Sequence, residues 1–198
     1  MPEHYYSETP SSAHAVQAFD IVHAGKTLHF ETDAGVFSKG HLDKGTALLL
    51  EAVPEVFSGR ALDLGCGWGP VGVCMASQWP EAEIVMTDVN GRAAELSRKN
   101  IAANKLAATV YQGDGLSHIP GSFDLIATNP PIRAGKSVMY RLFAESMERL
   151  LPGGALYVVI RKQQGADSAQ KYLQTLSDDV SIVARGSGFR VLRAIREK

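Results

Sequence analysis

Three glycines at alternate positions interrupt the chain just after an apolar run, in Asp63-Leu64-Gly65-Cys66-Gly67-Trp68-Gly69-Pro70. Glycine lets a backbone turn sharply and come close to a ligand, and proline suits the first turn of a helix, where its missing N–H is not needed. The segment therefore reads as a buried strand, a ligand-sized loop and a helix start. From Arg60 onward the same grammar repeats. Ala61–Leu64, Ile84–Thr87, Thr109–Gln112, Leu125–Thr128 and Leu156–Ile160 read as strands, and residues 70–79, 91–104, 136–150 and 166–176 as helices. Alternation of this kind predicts an α/β fold with an open, mainly parallel sheet and helices on both faces. The tail supplies Val180–Ala184 and Phe189–Ala194 around Arg185-Gly186-Ser187-Gly188. The seven-stranded sheet should thus finish in an antiparallel hairpin.

Ahead of this region, Phe19–Val22 and Leu28–Glu31 flank His23-Ala24-Gly25-Lys26, which predicts a short β-hairpin within residues 18–31. Residues 1–17 are polar and without period, so they read as an arm. Asp43 stands before a helical run containing Ala47, Leu48, Leu50 and Ala52 that should stop at Pro54. A chain of 198 residues is expected to form one domain, here 18–198. No window approaches the ~18 consecutive apolar residues of a membrane helix. Met1-Pro2-Glu3-His4-Tyr5-Tyr6 has no feature of a secretory signal, so a cytoplasmic protein is expected. Cys66 and Cys74 lack metal-ligand spacing, which predicts buried thiols and no metal.

Charge is divided unevenly. Residues 1–131 hold 8 Lys/Arg against 15 Asp/Glu, and residues 132–198 hold 12 against 6. A basic C-terminal part suits an anionic partner, although amphipathic helices also distribute charge unevenly by chance.

In open α/β sheets ligands bind beyond the carboxyl ends of the strands, where the glycine loop lies. Gly67-x-Gly69-x-x-Gly72, with Asp88 19 residues past Gly69, also matches a dinucleotide fingerprint, so the loop alone does not choose a cofactor. Asp88, at a strand end, is placed to accept ribose hydroxyls or to cap the helix beginning at Gly91. Asp63 is placed to meet a cationic ligand group or to hold the loop by accepting its backbone N–H groups. Asp114 follows the next strand in an Asp-Gly pair, which is also ordinary turn chemistry.

Asn129-Pro130-Pro131-Ile132 ends the fourth strand of the α/β region, 64 residues after Gly65. Two prolines fix the backbone and remove two N–H groups, which should leave carbonyls free to face a ligand. The lone pair of an exocyclic amine on an aromatic ring is delocalised, so the amine is a poor nucleophile. Accepting both its N–H bonds, at the Asn129 side-chain oxygen and the Pro130 carbonyl, would aim that lone pair at an electrophilic methyl. The amine gains positive charge during transfer, so these dipoles act most strongly in the transition state.

Taken in order, these segments resemble the small-domain class I methyltransferases, near the catalytic domain of the small-subunit ribosomal RNA guanine-(N2) methyltransferases. The motifs are Gly35-Val36-Phe37-Ser38 with Asp43-x-Gly45, the loop Asp63-Leu64-Gly65-Cys66-Gly67, Asp88, Asn129-Pro130-Pro131 and Leu151-Pro152-Gly153-Gly154. The resemblance implies a Rossmann-like fold, S-adenosylmethionine as cofactor and a ribosomal RNA or small-subunit partner. By it, Phe37, Ser38, Asp63, Gly65, Cys66, Gly67, Asp88, Val89, Asp114 and Asn129 bind the cofactor, and Phe37 and Ser38 with the segment through Thr46 cover its pocket. Asn129, Pro130 and Pro131 are implied at the methyl-transfer centre, with Ile132, Arg133 and Lys136 toward substrate. Arg133, Lys136, Arg141, Arg161 and Lys162 become candidates for RNA phosphates. Two departures stand out. Ile132 occupies the place where many amino-methyltransferases stack an aromatic ring on the acceptor base, and the larger ribosomal RNA enzymes have an additional N-terminal domain. Protein glutamine-amide methylation, which also uses Asn-Pro-Pro, is the alternative activity, and a nicotinamide-dependent oxidoreductase is a more distant one.

Overall fold

The computed structural model describes residues 15–33 and 41–197. A hairpin comes first, with β1 (Gln17–His23) and β2 (Lys26–Thr32) forming their own antiparallel sheet. Ala24 and Gly25, at φ 46° and 73°, make the two-residue turn with left-handed backbone that such hairpins favour. Pairing starts at Gln17, one residue inside the segment read as the arm. Helix α1 (Lys44–Ala52) is capped by Asp43, whose side chain accepts from the N–H groups of Gly45 and Thr46. It gives way to extended backbone at Val53, since the residue before Pro54 avoids the helical region.

The remaining chain runs β3 (Arg60–Leu64), α2 (Pro70–Gln78), β4 (Glu83–Asp88), α3 (Gly91–Ala103), β5 (Thr109–Gln112), β6 (Phe123–Thr128), α4 (Lys136–Arg149), β7 (Leu150–Arg161), α5 (Ala166–Leu173), β8 (Val180–Gly186) and β9 (Phe189–Ile195). Seven strands lie in the order β5-β4-β3-β6-β7-β9-β8, parallel from β5 to β7, with β9 antiparallel to both neighbours. Side chains alternate between two cores. Ala61, Met86, Ala127 and Val159 face one core with α1, α2 and α3, whereas Leu62, Val85, Ile126 and Val158 face the other with α4 and α5. Burial on both faces is why these strands read as continuous apolar runs. No helix among the described residues is long and apolar enough to cross a membrane.

The structure differs from the sequence reading at three places. Strand β7 begins at Leu150, directly after α4, although Pro152, Gly153 and Gly154 disfavour a strand locally. Partners on both sides hold it. Leu150 pairs with Phe123 before the register shifts, while Gly153 N–H donates to Arg196 O and Arg196 N–H donates to Gly154 O, both at 2.8 Å. Helix α5 stops at Leu173, short of 176, and continues as tight turns. The C-terminal hairpin is longer than expected. Its turn is Ser187-Gly188 alone, at φ 49° and 80°, so Arg185 and Gly186 belong to the strand.

The N-terminal hairpin docks on α3 through two asparagines one turn apart. Asn100 Oδ1 accepts Glu31 N–H at 2.8 Å and its Nδ2 donates to Glu31 O at 2.9 Å. Asn104 repeats the pattern on His29, at 2.8 and 2.6 Å. Side-chain amides thus take the place of a neighbouring strand along the β2 edge, satisfying groups that an edge strand otherwise leaves unpaired.

Candidate active site

The strand order reverses between β3 and β6, and the carboxyl ends of these two strands carry the glycine loop and Asn129. Ligands of open α/β sheets bind at such a switch point. In the loop, Gly65, Gly67 and Gly69 take φ of 74°, 58° and 91°, a region that residues with a Cβ rarely enter. The N–H groups of Gly65 and Cys66 both donate to Thr87 O at 2.9 Å, which ties the loop to β4. Gly72 serves close packing, because a Cβ there would lie 2.6 Å from the Met86 side chain.

Two carboxylates hold this loop from below. Asp88 Oδ2 accepts Gly67 N–H and Oδ1 accepts Asn90 N–H, each at 2.8 Å. Asn90, not Asp88, caps α3 by accepting from Arg92 and Ala93. Asp63 Oδ2 accepts Gly72 N–H at 2.8 Å, in the first turns of α2. Burial raises the Asp88 pKa, opposed by the N–H groups of Asn90, Gly67 and Val89. Asp63 is pushed from an ordinary 3.8 up to about 7, by burial first and by the nearby Asp88 as well, against the Gly72 N–H bond that lowers it.

An acid raised in this way keeps its proton in the folded state after the unfolded chain has released it. Stability tied to Asp63 is therefore greatest below about pH 4 and is lost as pH rises to about 7. Asp63→Asn keeps a carbonyl acceptor for Gly72 and cannot ionise. Relative to wild type it should gain stability on the order of 4 kcal/mol between those limits. Urea unfolding midpoints at several pH values measure this difference, and a constant difference would contradict it.

Across the cavity, Thr128 Oγ1 donates to Leu64 O at 2.8 Å and binds β6 to β3. Asn129 follows, half-buried, with Nδ2 3.1 Å from Thr46 Oγ1 and 3.5 Å from Asp43 Oδ2. The proline carbonyls are less free than the sequence suggested. Pro130 O accepts Ile132 N–H at 2.8 Å and Pro131 O accepts Ala134 N–H at 2.9 Å, because the chain turns at once into a short 3₁₀ segment, Ile132–Ala134. Pro130 O keeps its second lone pair.

One cavity of about 340 Å³ joins the two sides. Of the residues singled out from sequence, it brings together Asp63, Gly65, Cys66, Gly67, Asp88, Val89, Asp114 and the run Asn129 to Arg133. Lys136 does not line it, since it begins α4 on the exposed side beyond Gly135. Phe37 and Ser38 lie outside the described residues. Asp114 meets Arg141 Nη2 with both oxygens at 2.8 Å, and Arg141 also holds Glu145 at 2.7 Å. That guanidinium is occupied within the chain, which argues against the phosphate role considered for Arg141. Both cysteines are buried free thiols, and Cys66 also lines the cavity. Among the described residues no group of three or more His, Cys, Asp or Glu is placed to hold a metal ion.

Asp43 and Thr46, from the segment expected by resemblance to cover the cofactor pocket, line the cavity, as does Trp68 within the glycine loop; Arg161 and Phe189 were not assigned to it, yet both line it. Arg161 had been singled out only for RNA phosphates, and Phe189 had no local signal. They meet because β7 and β9 pair, and the Arg161 guanidinium sits 5.0 Å from the centroid of the Phe189 ring.

A seven-stranded sheet with this order, an acid-led glycine loop at its switch point and Asn-Pro-Pro on the adjoining strand define the methyltransferase class. The family model "Methyltransferase small domain" matches residues 27–193, and the chain belongs to that family. This membership sets aside the dinucleotide-dependent oxidoreductase. A relative from Bacillus subtilis, "Uncharacterized protein YbxB", is 43% identical over 98% of both chains. The "Ribosomal RNA small subunit methyltransferase C" of Pseudomonas entomophila is 39% identical over 82% of this chain and 49% of its own length. Among solved structures, the T. thermophilus 16S rRNA N2 methyltransferase RsmC, in complex with AdoMet and guanosine, superposes with a TM-score of 0.84 at 27% identity. That match covers 95% of this chain and 52% of the other. The chain spans about half the length of these named ribosomal RNA methyltransferases.

Proposed function

We propose that this protein is an S-adenosylmethionine-dependent N-methyltransferase acting on an exocyclic amino group, guanine N2 of ribosomal RNA. The observation that carries the reading is the meeting of the acid-led glycine loop and Asn129-Pro130 in a single cavity. At about 340 Å³ it falls within the ~300–1,000 Å³ of small-molecule sites. The residues fit the cofactor: buried Asp63 suits its ammonium, Asp88 its ribose, and the glycine loop leaves room for its body. When bound, S-adenosylmethionine supplies a methyl group on a sulfonium. Asn129 Oδ1 and Pro130 O accept the two N–H bonds of the amine and hold its lone pair toward that methyl. With the cofactor bound, its S–CH₃ bond would break to leave a neutral thioether as the N–CH₃ bond forms; the same oxygens would face the positive charge growing on the amine, whose proton would then pass to water.

Ribosomal RNA is favoured by the ribosomal RNA methyltransferases among the relatives and by the basic C-terminal third. Arg133 and Arg161 flank the cavity, and Lys136 and Lys162 are exposed beside them. Phe189, covered by Arg161, offers an aromatic surface in the cavity where Ile132 lacks one. The test is methyl transfer to undermethylated small-subunit RNA, read by nucleoside mass spectrometry. N2-methylguanosine is expected. RNA affinity should fall by roughly 0.7–0.9 log unit per log unit of salt for each phosphate neutralised. A methylated protein glutamine, with no RNA product and a flat salt response, would replace this reading.

A further inference from the structure

We infer that Asp43 and Thr46 form a one-way hydrogen-bond relay that locks the Asn129 amide with its oxygen presented to the acceptor amine, making both of them positioning residues. The inference rests on the proposed role of Asn129 and explains how one end of its amide is selected. The two ends of an amide have nearly the same size, so packing alone does not choose between them; hydrogen bonds must. Thr46 Oγ has a single proton, and it is donated to Asp43 Oδ2, an atom that can only accept. With that proton committed, Thr46 offers Asn129 lone pairs alone, 3.1 Å from Nδ2. A flipped amide would set Oδ1 against those lone pairs and about as close to the Asp43 carboxylate as Nδ2 is now, 3.5 Å. Only the observed orientation is attractive, and it leaves Oδ1 to the cavity.

The anchor is rigid. Asp43 Oδ1 accepts the N–H groups of Gly45 at 2.9 Å and Thr46 at 3.2 Å, so the α1 cap fixes the carboxylate. Thr46 is 2% exposed, which shelters its hydroxyl from competing water. Phe189 closes the other side of the turn, where a Cβ on Gly45 would lie 2.8 Å from its ring. A helix cap early in the chain thereby sets the donor and acceptor polarity of a residue 86 positions later.

Thr46→Val removes the hydroxyl and keeps the shape, while Thr46→Ser keeps the hydroxyl. With uniformly ¹⁵N-labelled chain alone, the side-chain amide protons of Asn129 should exchange several-fold faster in Thr46→Val than in wild type and remain protected in Thr46→Ser. In the RNA methylation assay, Thr46→Val should lower kcat about five- to thirtyfold, with S-adenosylmethionine affinity unchanged. Thr46→Ser should stay within about twofold of wild type. In an Asn129→Ala background Thr46→Val should have no further effect. Equal amide protection in wild type and Thr46→Val would overturn the relay, as would a wild-type kcat in Thr46→Val when Asn129→Ala is slow. If Asn129→Ala is itself as fast as wild type, the proposed role of Asn129 fails instead, and the exchange measurement still decides the relay.

Discussion

Replacing Asn129 by alanine is expected to lower kcat for methyl transfer about a hundredfold or more, while S-adenosylmethionine affinity stays nearly intact. A hundredfold corresponds to roughly 2.7 kcal/mol, the scale of losing one preorganised dipole that faces developing charge. The separation of binding from turnover follows from geometry. Asn129 ends β6 on one side of the cavity, its Nδ2 engaged by α1, whereas Asp63, Asp88 and the glycine loop occupy the other. Asn129→Asp should also be slow, despite keeping an acceptor. Its second oxygen would replace Nδ2 about 3.5 Å from Asp43 and find Thr46 with its proton already given away. The measurement is single-turnover transfer to undermethylated small-subunit RNA, with calorimetric cofactor affinity on the same preparations. Wild-type turnover in Asn129→Ala would refute the mechanism; a parallel loss of cofactor affinity would move Asn129 to the donor side.

Trp68→Ala is expected to cost about 3–5 kcal/mol of stability, the usual range for deleting a large buried aromatic. Against a typical total of ~5–15 kcal/mol this is a large fraction. Trp68 stands inside the glycine loop, is 2% exposed, and meets Phe19 and Phe30 of the N-terminal hairpin edge-on, with ring centroids 5.3 and 5.1 Å away. Edge-on contact is a favoured aromatic geometry. Its carbonyl accepts Asn100 Nδ2 at 2.7 Å, the same amide that grips β2. The hairpin therefore buttresses the cofactor loop, through the indole and through Asn100. Removing the indole should loosen both at once, and cofactor affinity should fall at least tenfold even where the variant remains folded. Urea unfolding followed by calorimetric titration at low temperature measures the two effects. Normal cofactor affinity in a destabilised but folded variant would show that the loop holds its shape without the hairpin.

Much of this was legible in the chain. The α/β class followed from alternating apolar strands and amphipathic helices, and the loop followed from glycines whose backbone angles other residues rarely adopt. Those are local properties, set by sterics and periodicity over a few residues, so they survive without knowledge of neighbours. The element ends that went astray are nonlocal. Leu150–Gly154 joins β7 because Phe123 and Arg196 flank it, and no feature within the segment reports those partners.

The site divides in the same way. Asp88 and Asn129 announce themselves by position after strands, but which group each carboxylate and amide would bond was a matter for the tertiary structure. Asp63 turned to Gly72 and rose in pKa because packing removed water from it. Arg161 and Phe189 became cavity residues only when β7 and β9 paired, and Arg141 was drawn to Asp114 across 27 positions of sequence. The sequence by itself determined the backbone grammar and the chemical types available, since these depend on short-range sterics and side-chain identity. Burial and hydrogen-bond direction depend on atoms far apart in the chain, so only the tertiary structure decided that Asp43, through Thr46, would set which way Asn129 faces.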